Sequence, residues 1–141
     1  MDEGALAVRI ATRWAVGWMS AIGAIVLIFA QPIMQLFTVD GAVIEAGAAG
    51  LRIVALAQPF WAVLLVHAGA LRGTGNTRFP LIATGGGVWL SVGLACALLA
   101  SAGGGLIAVW AAFLALAPAQ AVIYRWRWRL AAHPDRTVPS I

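Results

Sequence analysis

Charge is what this sequence has least of. Nine basic and five acidic residues make up 10% of the 141 positions, against roughly 25% in an ordinary water-soluble domain. With 62% apolar residues and a mean hydropathy of +0.94, that shortage excludes a soluble globular enzyme, a disordered tail and a nucleic-acid-binding module. Cysteine is nearly absent too. A lone Cys96 excludes a disulfide framework and a cysteine-based metal site. Carboxylates are missing from the long apolar runs: the five are Asp2, Glu3, Asp40, Glu45 and Asp135. No catalytic, metal-binding or cofactor-holding constellation stands out.

What is there is apolar sequence cut into blocks by charge. Uncharged runs of 26, 19 and 46 residues separate Arg13 from Asp40, Arg52 from Arg72, and Arg78 from Arg125. A membrane-spanning helix needs about 20 mostly apolar residues. The first two runs hold one span each. The third holds two, broken at Ser101-Ala102-Gly103-Gly104-Gly105, where consecutive glycines favour a turn. The fold class expected is therefore an all-α membrane protein with four transmembrane helices: Trp14–Phe37, Gly47–Leu71, Phe79–Ala100 and Leu106–Tyr124. Residues 1–13 precede this membrane domain (14–124), and a basic tail (125–141) follows it. The first apolar stretch is too long for a signal-peptide core of roughly 7–15 residues.

Four spans place Arg9, Arg13, Arg72, Arg78, Arg125, Arg127, Arg129 and Arg136 on one side of the membrane. Only Arg52 falls on the other side. The positive-inside tendency makes the arginine-rich side, with both termini, cytoplasmic. Trp14, Trp18, Trp126 and Trp128 sit at that end, where indoles favour the headgroup level and arginines meet lipid phosphate.

Small residues mark the expected helix contacts. Ala83, Gly87, Ser91 and Ala95 recur every four residues, and Ala108, Ala111, Ala112, Ala115 and Ala119 make similar stripes in the fourth span. Close approach through such residues drives association in lipid. Pro32, Pro59 and Pro118 interrupt spans and mark kinks.

Few polar residues lie within the spans. Gln58 and Trp61 share a face beside Pro59. They line a substrate cavity on one reading; on the other, the glutamine bonds a neighbouring helix. His67 is a proton-relay candidate because its pKa lies near neutrality, with a hydrogen-bonded interface residue as the plainer reading. Glu45 and Arg52, seven apart, share a face at the outer end. Between the second and third spans runs Gly69-Ala70-Leu71-Arg72-Gly73-Thr74-Gly75-Asn76-Thr77-Arg78-Phe79-Pro80. Gly73 and Gly75 permit a tight turn, Asn76 or Thr77 caps the next helix, and Pro80 suits its first turn. Arg72 and Arg78 anchor the link at lipid phosphate or at neighbouring carbonyls. The link positions helices.

Together with Phe37-Thr38-Val39-Asp40, Leu51-Arg52-Ile53, Gln58-Pro59, the glycine turn, Trp110 and the basic aromatic end, that link resembles the multidrug and toxic compound extrusion (MATE) family. The ordered set covers about residues 5–130 and looks like the last four of the family's twelve spans, part of one six-helix lobe. Asn76 stands where the family usually has aspartate. None of the family's acidic coupling residues carries over.

The resemblance implies part of a sodium- or proton-coupled antiporter that exports small organic, often cationic, solutes by alternating access. It implies no cofactor beyond the coupling ion, and it implies a missing N-terminal lobe and the lipid bilayer as partners. Nucleic acid is not among them. The alternatives are a related flippase for lipid-linked precursors, a stand-alone small multidrug transporter, and a non-transporting membrane subunit. The second depends on a glutamate in the first helix, and none is present in that span.

Overall fold

The first two apolar runs fold as one helix each and the third as two, and most of these helices extend past a charged residue that bounds the run. The computed structural model describes residues 3–102 and 105–132. Its elements are α1 (Glu3–Gln35), α2 (Gly41–Gly73), α3 (Arg78–Ala102) and α4 (Gly105–Ala132). All four are long and apolar enough to cross a membrane. A helix of 33 residues, as in α1 and α2, is about 50 Å long at 1.5 Å per residue. The hydrocarbon layer is about 30 Å thick, so both helices reach beyond it or cross it tilted.

The expected boundaries need correction at several ends. α1 begins at Glu3 rather than Trp14, and its last expected residues, Leu36 and Phe37, turn out of the helix. α2 begins at Gly41 rather than Gly47. α4 runs on through Arg125, Arg127 and Arg129 to Ala132, so the first part of the expected tail is helical. Charge ends a lipid-facing stretch, but arginine and glutamate are good helix formers and do not end a helix. What starts α2 is Asp40, whose Oδ1 accepts from the N–H of Ala42 at 2.9 Å and of Val43 at 3.4 Å. The Asp40 N–H in turn donates to Thr38 Oγ1 at 3.2 Å. The Thr38-Val39-Asp40 sequence is thus a helix cap. Gly103, Gly104 and residues 133–141, with Asp135 and Arg136, lie outside the described residues; Gly105 opens α4 at φ +55°.

α2 is the central helix. It packs along α1 and along α4, while α3 packs on α4 and barely meets α2. The spatial order is therefore α1, α2, α4, α3. Proline bends α1: Phe29, three residues before Pro32, leaves helical geometry at φ −96°, ψ 16°, as expected where a proline ring crowds the preceding turn.

Inside and outside are arranged as lipid requires. The buried positions are mostly alanines, with Tyr124 and Leu71 as the large exceptions. The bulky apolar side chains face outward, Trp14, Trp18, Leu81 and Trp89 among them. On α3 the stripe Ala83, Gly87, Ser91, Ala95 is the buried and half-buried face. On α4, Ala112 is fully buried, but Ala115 and Ala119 are exposed; Ala117 and Ala121 take the inner positions instead.

Candidate functional site

Three places concentrate polar groups. The first is the α1–α2 seam. Pro59 has no N–H, so the carbonyl of Ala55 loses its usual helical donor. Gly23 of α1 faces that carbonyl. A Cβ on Gly23 would stand 2.8 Å from Ala55 O and 3.5 Å from the Cβ and Cγ of Gln58. Only a glycine lets the two backbones come this close. Gln58 therefore lies half-buried in the seam, with its aliphatic stem on Gly23. Trp61 is half-buried one turn on.

The second place is the 69–80 link. α2 ends with Thr74, whose N–H donates to Ala70 O at 3.2 Å and whose Oγ1 donates to Leu71 O at 2.8 Å. Gly75 sits at φ +83°, a left-handed conformation that penalises any Cβ. Its N–H reaches Arg72 O at 2.9 Å, and the Asn76 N–H reaches Leu71 O at 3.1 Å. Asn76 Oδ1 accepts from the N–H of Phe79 at 3.3 Å, so Asn76, not Thr77, caps α3. The cap needs an oxygen here, not a charge. Gly73, Arg72, Thr77 and Arg78 are exposed, whereas Pro80 is fully buried.

Pro80 is buried because α4 holds it there. Tyr124 is 0% exposed, and its hydroxyl donates to Pro80 O at 2.9 Å. With that proton committed, Thr84 Oγ1 is the donor in its 2.7 Å contact with the Tyr124 oxygen. Phe79 meets Tyr124 edge-on at 5.5 Å, and Arg127 lies over the Phe79 ring at 5.6 Å. Ala68 and Leu71 of α2 complete this cluster. One tyrosine thereby ties together the ends of α2, α3 and α4. Sequence reading missed it, and also missed Gln120, whose side-chain amide covers Gly87 in the α3–α4 seam. A glutamine within a span was the signal available for Gln120. Tyr124 had none beyond being the chain's single tyrosine.

The third place is a cleft of about 920 Å³ between α1 and α4, floored by α2. Arg9 and Arg13 line it from α1, Val63 and His67 from α2, and Arg125 and Arg129 from α4. His67 is 5% exposed and donates from Nδ1 to Val63 O at 2.8 Å. Neither Gln58 nor Trp61 belongs to this cleft. The structure thus separates the sequence candidates: Gln58 in the α1–α2 seam, His67 in the basic cleft, and residues 72–80 at the link. Among the described residues no cluster of His, Cys, Asp or Glu suits a metal ion.

Comparison with known proteins gives this arrangement a context. Residues 3–98 match the MatE family. The chain is also similar to a probable multidrug resistance protein NorM of Thermotoga maritima, with 40% identity over 68 residues. That alignment covers 48% of this chain and 15% of the relative. The chain therefore spans only a small part of the length of the curated relative it matches.

Proposed function

The chain belongs to the MatE family, and on that premise we propose that it forms four helices of one six-helix lobe in a multidrug efflux antiporter. The complete transporter exports organic, often cationic, solutes in exchange for sodium ions or protons, and alternates access between two lobes. The observation that carries this reading is the family match across α1, α2 and most of α3, laid on four membrane-crossing helices.

The seam around Gly23, Ala55 and Pro59 supports it. A carbonyl without its helical donor makes a natural point of flexure in a helix that must bend between inward- and outward-facing states. Gln58 and Trp61, at that point, are the residues proposed to meet substrate. His67 is proposed as an interface residue, held by Val63 O. The carboxylates among the described residues are Glu3 at the start of α1, Asp40 at the α2 cap and Glu45 in the next turn. A coupling acid is therefore supplied by the rest of the transporter. The gathering of arginines in one cleft supports a bundle with both termini cytoplasmic, by the positive-inside tendency.

The test uses the gene with its full upstream reading frame in a bacterial host stripped of its major efflux pumps. The expected result is ethidium extrusion that a sodium or proton ionophore abolishes, and that Gln58→Ala lowers for at least one drug. Ethidium retained as in the empty-vector host overturns the efflux reading. Unchanged efflux of every drug tried removes Gln58 from the cavity.

A further inference from the structure

α2 and α4 each carry a proline near mid-length, Pro59 and Pro118, and the two stand at one depth. Trp110 of α4 meets Gly50 of α2 toward the end far from the arginines, and Tyr124 packs on Ala68 and Leu71 toward the arginine-rich end. The two helices therefore run the same way. Pro118 lies eight residues past Trp110, and Pro59 lies nine past Gly50. That places the prolines within about one turn of a common level.

Both helices run through their prolines as continuous elements, but each lacks one rung there. Pro59 has no N–H for Ala55 O, and Pro118 has none for Leu114 O. α3 is weakened at the same level. Its Gly87 lies under Gln120, which follows Pro118 by two residues, and Gly85 and Gly86 adjoin it. Glycine loosens a helix, and prolines and glycines are where long helices bend. α1 differs. Gly23, which faces Ala55 and Gln58, marks this level on α1. The residue of α1 that leaves helical geometry is Phe29, about 9 Å nearer the far end. Across the level of the two prolines α1 is a continuous rod.

On the arginine-rich side of that level the structure holds one fastened body and one open space. Tyr124 is hydrogen-bonded to Pro80 and Thr84 of α3 and packs on α2, so the ends of three helices are tied together. The space is the cleft of about 920 Å³ between α1 and α4. Its α2 and α4 lining residues all lie past Pro59 and Pro118, and its α1 lining stops at Gly17, short of Gly23. Across it α1 and α4 scarcely touch.

We propose that the arginine-rich ends of α2, α3 and α4 swing as one body about α1, bending at the level of Pro59, Pro118 and Gly85, Gly86 and Gly87, and that the cleft is the space this movement opens and closes. A lone helix with a missing rung is held straight by stiff neighbours. Here the neighbours tied to it are weak at the same level, so the three bend together. The inference rests on the flexure assigned above to Pro59 and on no transport step.

The experiment places pairs of spin labels on the 141-residue chain, in a Cys96→Ala background, and reads their distance distributions in detergent. Ile10→Cys with Trp126→Cys spans the cleft. Gly69→Cys with Leu81→Cys lies within the moving body, and Ile28→Cys with Ile107→Cys joins α1 to α4 at the far end. All these positions are exposed. A bend of about 20° at Pro118 displaces Trp126 by about 4 Å, so the cleft pair should be broader than the other two pairs by about that amount. Pro59→Ala and Pro118→Ala each narrow it, because one stiffened helix restrains those tied to it, and the double variant narrows it no further. Gly86→Ala, whose added methyl meets nothing within 4 Å, stiffens α3 and acts alike. A cleft pair as narrow as the far pair overturns the proposal. So does a pair within the body as broad as the cleft pair, or a cleft pair unaltered by both Pro118→Ala and Gly86→Ala. Narrowing by Pro59→Ala alone keeps the flexure in α2 and overturns the shared hinge.

Discussion

Gly23 and the carbonyl of Ala55 are in contact across the α1–α2 seam: a Cβ on the glycine would stand 2.8 Å from that oxygen. The carbonyl is the one that Pro59 leaves without its helical N–H. One missing side chain and one missing hydrogen therefore occur face to face, and each has a consequence for the other.

Enlarging Gly23 is expected to force the seam apart. Gly23→Val should cost about 1–3 kcal/mol, the range for overpacking a close contact, read as a lower unfolding temperature in detergent. Pro59→Ala restores a donor to Ala55 O. The double variant should therefore depart from additivity by about 0.5–3 kcal/mol. Strict additivity would show that the two sites do not communicate.

Tyr124→Phe leaves the buried Pro80 O and the exposed Thr84 Oγ1 without their shared partner. The expected loss is about 1–3 kcal/mol. Thr84→Val should cost less, because the bond from Tyr124 to Pro80 survives it. A Tyr124→Phe protein as stable as the parent would remove this hydroxyl from the account of how α3 docks on α4.

At the link, Asn76→Ala should destabilise by about 0.5–2 kcal/mol through loss of the α3 cap. Asn76→Asp keeps the oxygen and adds a negative charge at a helix N-terminus, which is favourable by about 0.3–1 kcal/mol. Thermal unfolding of the three proteins should rank them Asp, Asn, Ala. An alanine variant equal to the parent would mean that the 3.3 Å bond to Phe79 contributes nothing.

Orientation is tested with the single cysteine, Cys96, which is exposed on α3. In a Cys96→Ala background, Ser101→Cys should react with an impermeant maleimide in intact cells. Leu130→Cys should react only after permeabilisation. The reverse pattern would place the arginine-rich end outside and contradict the charge rule.

Much of the architecture was legible from sequence, because it depends on local pattern. Charge-free length set the number of helices. The period-four stripe at Ala83, Gly87, Ser91 and Ala95 showed which side of α3 faces inward. Helix ends were less legible, since the charges at Arg9 and Glu45 mark where lipid contact stops and the helical backbone continues past them. The α4 stripes misled at Ala115 and Ala119: with alanine on nearly every face, composition does not choose one. The clamp at Tyr124 was invisible because its partners lie 40 and 44 positions away. Gln58 could be placed beside Pro59, but only the position of Gly23 shows which helix covers it.

The alanine-built interior has a consequence for how the chain tolerates mutation. Alanine and glycine have almost nothing left to delete, so most substitutions in the helix seams can only add atoms. Lesions should therefore be of one kind, wedging rather than hollowing. The familiar remedy of filling a void to gain robustness has little purchase here, except beside Tyr124 and Leu71. Robust variants are better sought on the lipid-facing surface and at the helix caps, where added bulk meets no neighbouring helix.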